Sequence, residues 1–187
     1  MDIYQISLIA ITPLCAGIGY LCKYVLDKRS TYLKKINKTK LEEIQFKLKK
    51  FYYPFHSNLL RENIIWNKIL TFYRSKTEEN KQLYHKLFWE LDKEMLEIHL
   101  ENQKIIRDNI VEINPDECLT DCLMRYDEHI TIYNIIRKID STRPEDIDDV
   151  YWPATFGSKY PSEIVYLIAS ELILLKEKQN KLIYSAV

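Results

Sequence analysis

Four side chains that can bind a metal ion lie close together in the chain: Cys118, Asp121, Cys122 and His129. A zinc site usually combines more closely spaced cysteines with a second matched pair of ligands, and no second pair occurs here. The remaining histidines are scattered and form no metalloprotease-type pair. We therefore interpret the two cysteines as one exposed and one partly buried structural residue, and we predict no metal and no cofactor.

A second group with chemical potential is acidic and consists of Glu145, Asp146, Asp148 and Asp149. These carboxylates could bind Mg²⁺ or Ca²⁺, but the segment lacks the glycine turn and terminal glutamate of a calcium loop. The chain also has no phosphate-binding glycine loop, nucleophile elbow, kinase signature or HExxH motif. We predict no catalytic residue and a non-enzymatic protein. An enzyme that uses the acidic segment is the less favoured alternative.

Aromatic residues follow this acidic segment and alternate with Pro153 and Gly157. An aromatic, proline-containing loop can serve as a docking surface for a partner protein. The same rings can instead hold a long loop against the helices, and the sequence favours this second interpretation. The candidate partner-docking residues are Tyr151, Trp152, Phe156 and Tyr160.

The residues Ile3 to Cys22 contain no charge, and only Met1 and Asp2 precede them. Twenty helical residues rise about 30 Å, the thickness of the hydrocarbon core of a bilayer. A cleaved signal peptide would begin with basic residues and end at a small-residue cleavage site. The segment therefore predicts an uncleaved transmembrane helix, with a buried core helix as the alternative.

Charge is distributed unevenly, although 27 basic and 27 acidic residues give a net charge of zero. Residues 23–50 contain ten basic and three acidic residues, whereas residues 116–149 contain four basic and ten acidic residues. Basic residues after the apolar segment predict an N-terminus outside and a cytoplasmic domain. They can also contact anionic lipid, although a topology signal on a solvated helix is an equally good interpretation. The candidate membrane-surface contacts are Lys23, Lys28, Arg29, Lys34 and Lys35.

The remaining sequence has helical periodicity throughout. We predict helices over 40–53, 55–74, 77–113, 115–139 and 161–184, with a long loop over 141–160. Pro54 interrupts the first pattern, so the first two helices are either one kinked helix or two that meet at an aromatic corner. The third pattern thins at 101–103, where the helix can be broken. Asn114 is predicted to cap the fourth helix, with Pro115 in its first turn.

These patterns predict an all-α protein with a single N-terminal transmembrane helix and an antiparallel bundle of four or five amphipathic helices. The predicted domains are an anchor at 1–26, a basic stalk at 27–40 and a bundle at 41–187. We expect a membrane-anchored interaction or scaffold protein that binds the bilayer and either an unknown protein or a second copy. Zero net charge argues against nucleic acid. The alternative is a membrane-acting effector whose span oligomerises on a signal sensed by the bundle.

Overall fold

The computed structural model describes the backbone of residues 3–75, 77, 79–139 and 151–184, and side chains within these ranges from Tyr20 onward. The described chain is almost entirely helical, which confirms the predicted all-α bundle. Its elements are α1 (Ile3–Lys47), a π-helical turn (Leu48–Tyr52), α2 (Tyr53–Ser75), α3 (Lys81–Ile113), α4 (Glu117–Ile139), a 3₁₀ turn (Pro153–Phe156) and α5 (Ile164–Tyr184).

The chain forms two compact units, one made of Met1–Ile44 and Lys178–Val187 and the other of Gln45–Glu177. In the first unit, every residue from Tyr20 to Lys35 is exposed. The predicted anchor–stalk and stalk–bundle boundaries fall inside the uninterrupted helix α1, and the domain division stays a prediction. The predicted anchor lies largely outside the described side chains. Within the part of the chain that is described, no helix combines the length and apolar character needed to cross a membrane.

The second unit is an antiparallel bundle, because contacts between neighbouring helices run in opposite chain directions. Asn58 of α2 meets Asn102 near the middle of α3, and Phe72 at the end of α2 stacks on Tyr84 at the start of α3. Helix α4 runs antiparallel to α3, since Tyr126 contacts Asn102 and the later residue Tyr133 contacts the earlier residue Asp92. Residue Glu163, just before α5, pairs with Arg125 of α4.

The helical path continues through Pro54 without a loop. Tyr53 has helical dihedral angles of φ −67° and ψ −52°, and its N–H donates to the carbonyl of Leu48, five residues earlier. Proline lacks an N–H and crowds the preceding turn, and a wider π-helical turn accommodates both effects. Of the two alternatives that the sequence left open, the structure therefore shows the single helical path. Of the aromatic residues near Pro54, Phe51 and Phe55 are fully buried and stack with ring centroids 5.1 Å apart, whereas Tyr53 is exposed.

Helix α3 is unbroken from Lys81 to Ile113, so the suggested break at residues 101–103 is wrong. The apolar pattern thins there because Asn102 and Gln103 are buried polar residues. Both find hydrogen-bond partners on neighbouring helices, which removes the penalty of burying an amide. Gln103, for example, donates to the Thr131 hydroxyl at 3.0 Å.

The connection between α3 and α4 differs in detail from the prediction. Asn114 caps the end of α3 and not the start of α4: it has φ +44°, and its N–H donates to Ile110 O at 3.2 Å. Asparagine tolerates this left-handed conformation better than most residues. The side chain that caps α4 is Asp116, whose Oδ1 accepts the N–H of Leu119 at 2.8 Å.

We expect Asp116→Ala to destabilise the protein by about 1 kcal/mol, because the substitution removes the N-terminal cap of α4. The measurement is the free energy of unfolding from urea denaturation. Glu128→Ala, an exposed position within α4, is the control and should change stability by less than about 0.5 kcal/mol. Equal effects of the two substitutions would contradict the capping role.

Candidate functional site

The predicted membrane-surface residues all lie on α1 and are exposed. Lys28 is the one with a described aromatic contact, its Nζ lying 4.9 Å from the centroid of the Tyr24 ring. Large apolar side chains alternate with these basic residues and are also exposed: Tyr20, Leu21, Tyr24, Val25, Leu26, Tyr32 and Leu33. The segment thus mixes positive charge with apolar surface on all sides of one helix.

The four predicted docking residues separate into two pairs. Trp152 packs edge-on against Trp66 and Phe88, at centroid distances of 5.3 and 6.0 Å. Tyr160 packs against Tyr126, so these two rings hold the loop to the bundle. The rings of Tyr151 and Phe156 lie 6.2 Å apart and are exposed, at 58% and 59% of their surface. Only the exposed pair is available to a partner in this conformation.

The cysteines have the exposure that the sequence predicts, with Cys118 exposed and Cys122 buried. Burial raises the pKa of the Cys122 thiol to about 11, which keeps it protonated and unreactive near neutral pH. Among the described residues, no group of three or more metal-binding side chains is present. The acidic residues Glu145, Asp146, Asp148 and Asp149 lie outside the described residues.

The bundle contains a buried glutamate, Glu62, that sequence reasoning did not identify. Glu62 of α2 is 3% exposed, and it accepts hydrogen bonds from three other elements. Its Oε1 accepts from the Tyr126 hydroxyl and from the Asn102 amide at 2.8 Å, and its Oε2 accepts from the Tyr160 hydroxyl at 3.2 Å. Asn58 completes the set by donating to Asn102 Oδ1 at 3.0 Å. We call these five residues the Glu62 cluster.

Burial dominates the electrostatics of the Glu62 cluster. Desolvation raises the pKa of Glu62 to about 7, although the hydrogen bonds from Tyr126, Tyr160 and Asn102 oppose this shift. His99 Nε2 lies 3.7 Å from Glu62 Oε1, yet burial, helped by the charges of His129 and Arg137, lowers the pKa of His99 to about 3. His99 is therefore neutral at physiological pH, and its contact with Glu62 is not an ion pair.

A second buried group lies about two to three helical turns farther along α3 and α4. Arg137 Nε donates to both carboxylate oxygens of Asp92, at 3.0 and 2.9 Å, and Asp92 also accepts from the Tyr133 hydroxyl. The guanidinium lies over the rings of Tyr133, Trp152 and Trp89, at 4.6, 5.2 and 5.8 Å from their centroids. Its Nη1 donates to the carbonyl of Tyr151 at 3.0 Å. Arg137 thus links α3 and α4 to the loop.

These groups can bind or release a proton, but in this arrangement they present almost no surface to a substrate.

The sequence contains a weak indication of the buried polar residues. Glu62 lies three residues after Leu59 and three before Ile65, at a position of the buried helical face. Asn102 likewise occupies an interior position four residues before Ile106. A polar residue in such a position indicates a buried hydrogen-bond network.

Comparisons with known proteins give no match to a family model, to a curated protein or to a solved structure.

We expect Glu62→Gln to remove a pH-dependent loss of stability. Folding raises the pKa of Glu62 from 4.5 to about 7. The contribution of this residue to the free energy of unfolding is therefore fully present below pH 4.5, and it is lost as the pH rises through 7. The stability difference between the Gln variant and the wild type should therefore move in favour of the variant by about 2 kcal/mol from pH 5.5 to pH 8.5. His99 titrates with the opposite sign, and it is present in both proteins.

The measurement is urea denaturation at several pH values. Glu128→Gln, exposed on α4, is the matched control and should show no such change with pH. A difference between Glu62→Gln and the wild type that is constant from pH 5.5 to 8.5 would contradict a raised pKa.

We expect Arg137→Met to destabilise the protein by about 3–5 kcal/mol, because Asp92 would remain buried without its cationic partner. The double variant Asp92→Leu with Arg137→Met removes both charges and should regain most of this loss. Arg125→Met, which removes exposed ion pairs with Asp121 and Glu163, is the control and should have a much smaller effect. A double variant as unstable as the single one would contradict this account.

Proposed function

We propose that the protein is a non-enzymatic interaction or scaffold protein that is anchored in a membrane by the apolar residues 3–22. Its basic residues on α1 would face an anionic leaflet, with the N-terminus outside and the bundle in the cytoplasm. The bundle would then bind another protein or a second copy of the chain. The anchor rests on the sequence of residues 3–22, and the exposed side chains from Tyr20 to Lys35 support a contact of α1 with lipid or a partner.

The single observation that carries the proposal is the complete exposure of residues 20–35 on α1. Apolar side chains exposed over four helical turns would favour association with a partner or a lipid surface. Tyrosine is enriched where membrane meets water, because its ring is apolar and its hydroxyl is polar. Tyr20, Tyr24 and Tyr32 have this character, and Lys23, Lys28 and Arg29 beside them can bind lipid phosphates.

A protein partner would bind the bundle at an exposed aromatic surface. The exposed pair Tyr151 and Phe156 is the strongest candidate, because aromatic rings contribute disproportionately to protein interfaces. A left-handed residue, Gly157 with φ +85°, follows the 3₁₀ turn that positions Phe156. Acidic residues at 140–149 precede these rings in the sequence and would favour a partner with a basic surface.

We expect the full-length chain to stay in the membrane fraction after extraction with alkaline carbonate. The double substitution Ile9→Arg with Leu14→Arg should release it, because each arginine near the centre of a span costs about 2.5–3.5 kcal/mol. The control Lys23→Gln with Lys28→Gln leaves the apolar segment intact and should remain in the membrane. Full release of the wild-type chain by carbonate would overturn the anchor.

A photo-crosslinking residue at position 151 or 156 should capture a defined partner, or a second copy of the chain, in native membranes. The same residue at the buried position 168 is the control and should capture none. Absence of crosslinks from both exposed positions would count against the docking role. Membrane depolarisation on induced expression would instead support the effector hypothesis.

A further inference from the structure

Residues 151–160, which we call the strap, cross the bundle without α-helical structure. Three polar contacts fasten the strap to buried side chains. Arg137 Nη1 donates to the carbonyl of Tyr151 at 3.0 Å, and His129 Nδ1 donates to the carbonyl of Ser158 at 3.2 Å. The third contact is the hydrogen bond from the Tyr160 hydroxyl to Glu62. The strap is therefore attached through ionisable groups at the start, near the end and at the end of its length.

Tyr160 is the most exposed of the three side chains that donate to Glu62. The other donors to this carboxylate, Tyr126 and Asn102, are fully buried on α4 and α3. Tyr160 is half-buried and lies on the strap, and its ring covers Tyr126 and His129 at centroid distances of 5.8 and 5.4 Å. Moving the strap is thus the smallest rearrangement that would hydrate Glu62, since helices α2, α3 and α4 could stay packed.

We propose that the strap closes over Glu62 while this carboxyl is protonated and opens when the carboxyl ionises and releases its proton to water. When the carboxyl is protonated, its O–H can donate to the Tyr160 oxygen instead of accepting from it, and a neutral carboxyl is far less costly to bury than a carboxylate. Ionisation therefore favours any conformation in which water reaches the group. Opening would also uncover the rings of Tyr126 and His129, against which Tyr160 packs.

The charges around Glu62 support this direction. From α3 it faces His99, which is neutral and whose Nδ1 has no partner among the described residues. From α4 it faces Tyr126, and from the strap Tyr160; burial and the carboxylate itself raise the pKa of both phenols, which therefore stay protonated. His129 lies beyond Tyr160, and burial lowers its pKa as well. None of these groups supplies a positive charge to balance an ionised Glu62 at neutral pH.

The pH dependence of strap opening follows from the difference in the pKa of Glu62 between the closed and the open form. With a carboxyl pKa of about 7 in the closed form and near 4.5 when hydrated, the opening equilibrium rises about tenfold per pH unit between these values. His99 opposes this trend below pH 6.5 if opening also hydrates its ring. A comparison with Glu62→Gln cancels the contribution of His99, because this histidine is present in both proteins.

The test is amide hydrogen exchange of the full-length chain, measured by mass spectrometry at pH 5.5 and pH 8 and corrected for intrinsic exchange rates. The strap contains protected amides, including those of Thr155 and Ser158, which donate to Trp152 O and Pro153 O. We expect the ratio of strap exchange in the wild type to that in Glu62→Gln to rise about 30-fold between these pH values. Peptides from α2 and α3 should change much less.

Two further variants test whether the Tyr160 hydroxyl holds the strap closed. Tyr160→Phe keeps the ring but removes the hydroxyl, and it should raise strap exchange at pH 8, whereas Tyr151→Phe at the exposed end should not. A wild-type to Glu62→Gln ratio that is the same at pH 5.5 and pH 8 would overturn the proposal. So would a parallel rise in α2 and α3, because that would indicate unfolding of the whole bundle. The proposal is independent of membrane anchoring and can fail or succeed separately from it.

Discussion

The burial of one carboxylate, that of Glu62, constrains the arrangement of the bundle. Its hydrogen bonds require Asn102 of α3, Tyr126 of α4 and Tyr160 of the strap to converge on one point of α2. An apolar core tolerates small shifts of one helix against another, but a buried carboxyl leaves costly unpaired groups when its partners move. The cluster therefore fixes how these elements meet, at a cost in stability that changes with pH.

The Asp92–Arg137 pair is a second buried polar contact between α3 and α4. It differs from the Glu62 cluster because it contains both a negative and a positive side chain. Here the buried charges are balanced, and the aromatic rings of Tyr133, Trp152 and Trp89 surround the guanidinium. Arg137 of this pair holds the first residue of the strap through its hydrogen bond to the Tyr151 carbonyl, whereas the Glu62 cluster holds the last residue through a carboxyl whose pKa is raised to about 7. The two ends of the strap are thus attached by interactions of different character.

Much of the fold follows from the sequence, because apolar periodicity determines which helical faces are buried. The limits of α3 and α4 are close to the predicted ones, and Phe51, Tyr52 and Phe55 near Pro54 are core. Sequence reasoning could not locate the Glu62 cluster, since its hydrogen-bonded partners lie 24 to 98 residues apart in the chain and meet only after the helices pack. It also assigned Asn114 to the wrong helix, because asparagine suits both the start of one helix and the left-handed end of another.

The most direct test of this account is the titration of the Glu62 side-chain carboxyl carbon by ¹³C NMR in the full-length protein. The account predicts a midpoint near pH 7, set by burial, together with a pH-independent chemical shift for the same carbon in Glu62→Gln. A midpoint near the ordinary glutamate value of about 4.5 would show that the carboxyl is ionised in the folded protein at neutral pH, and it would contradict the central claim.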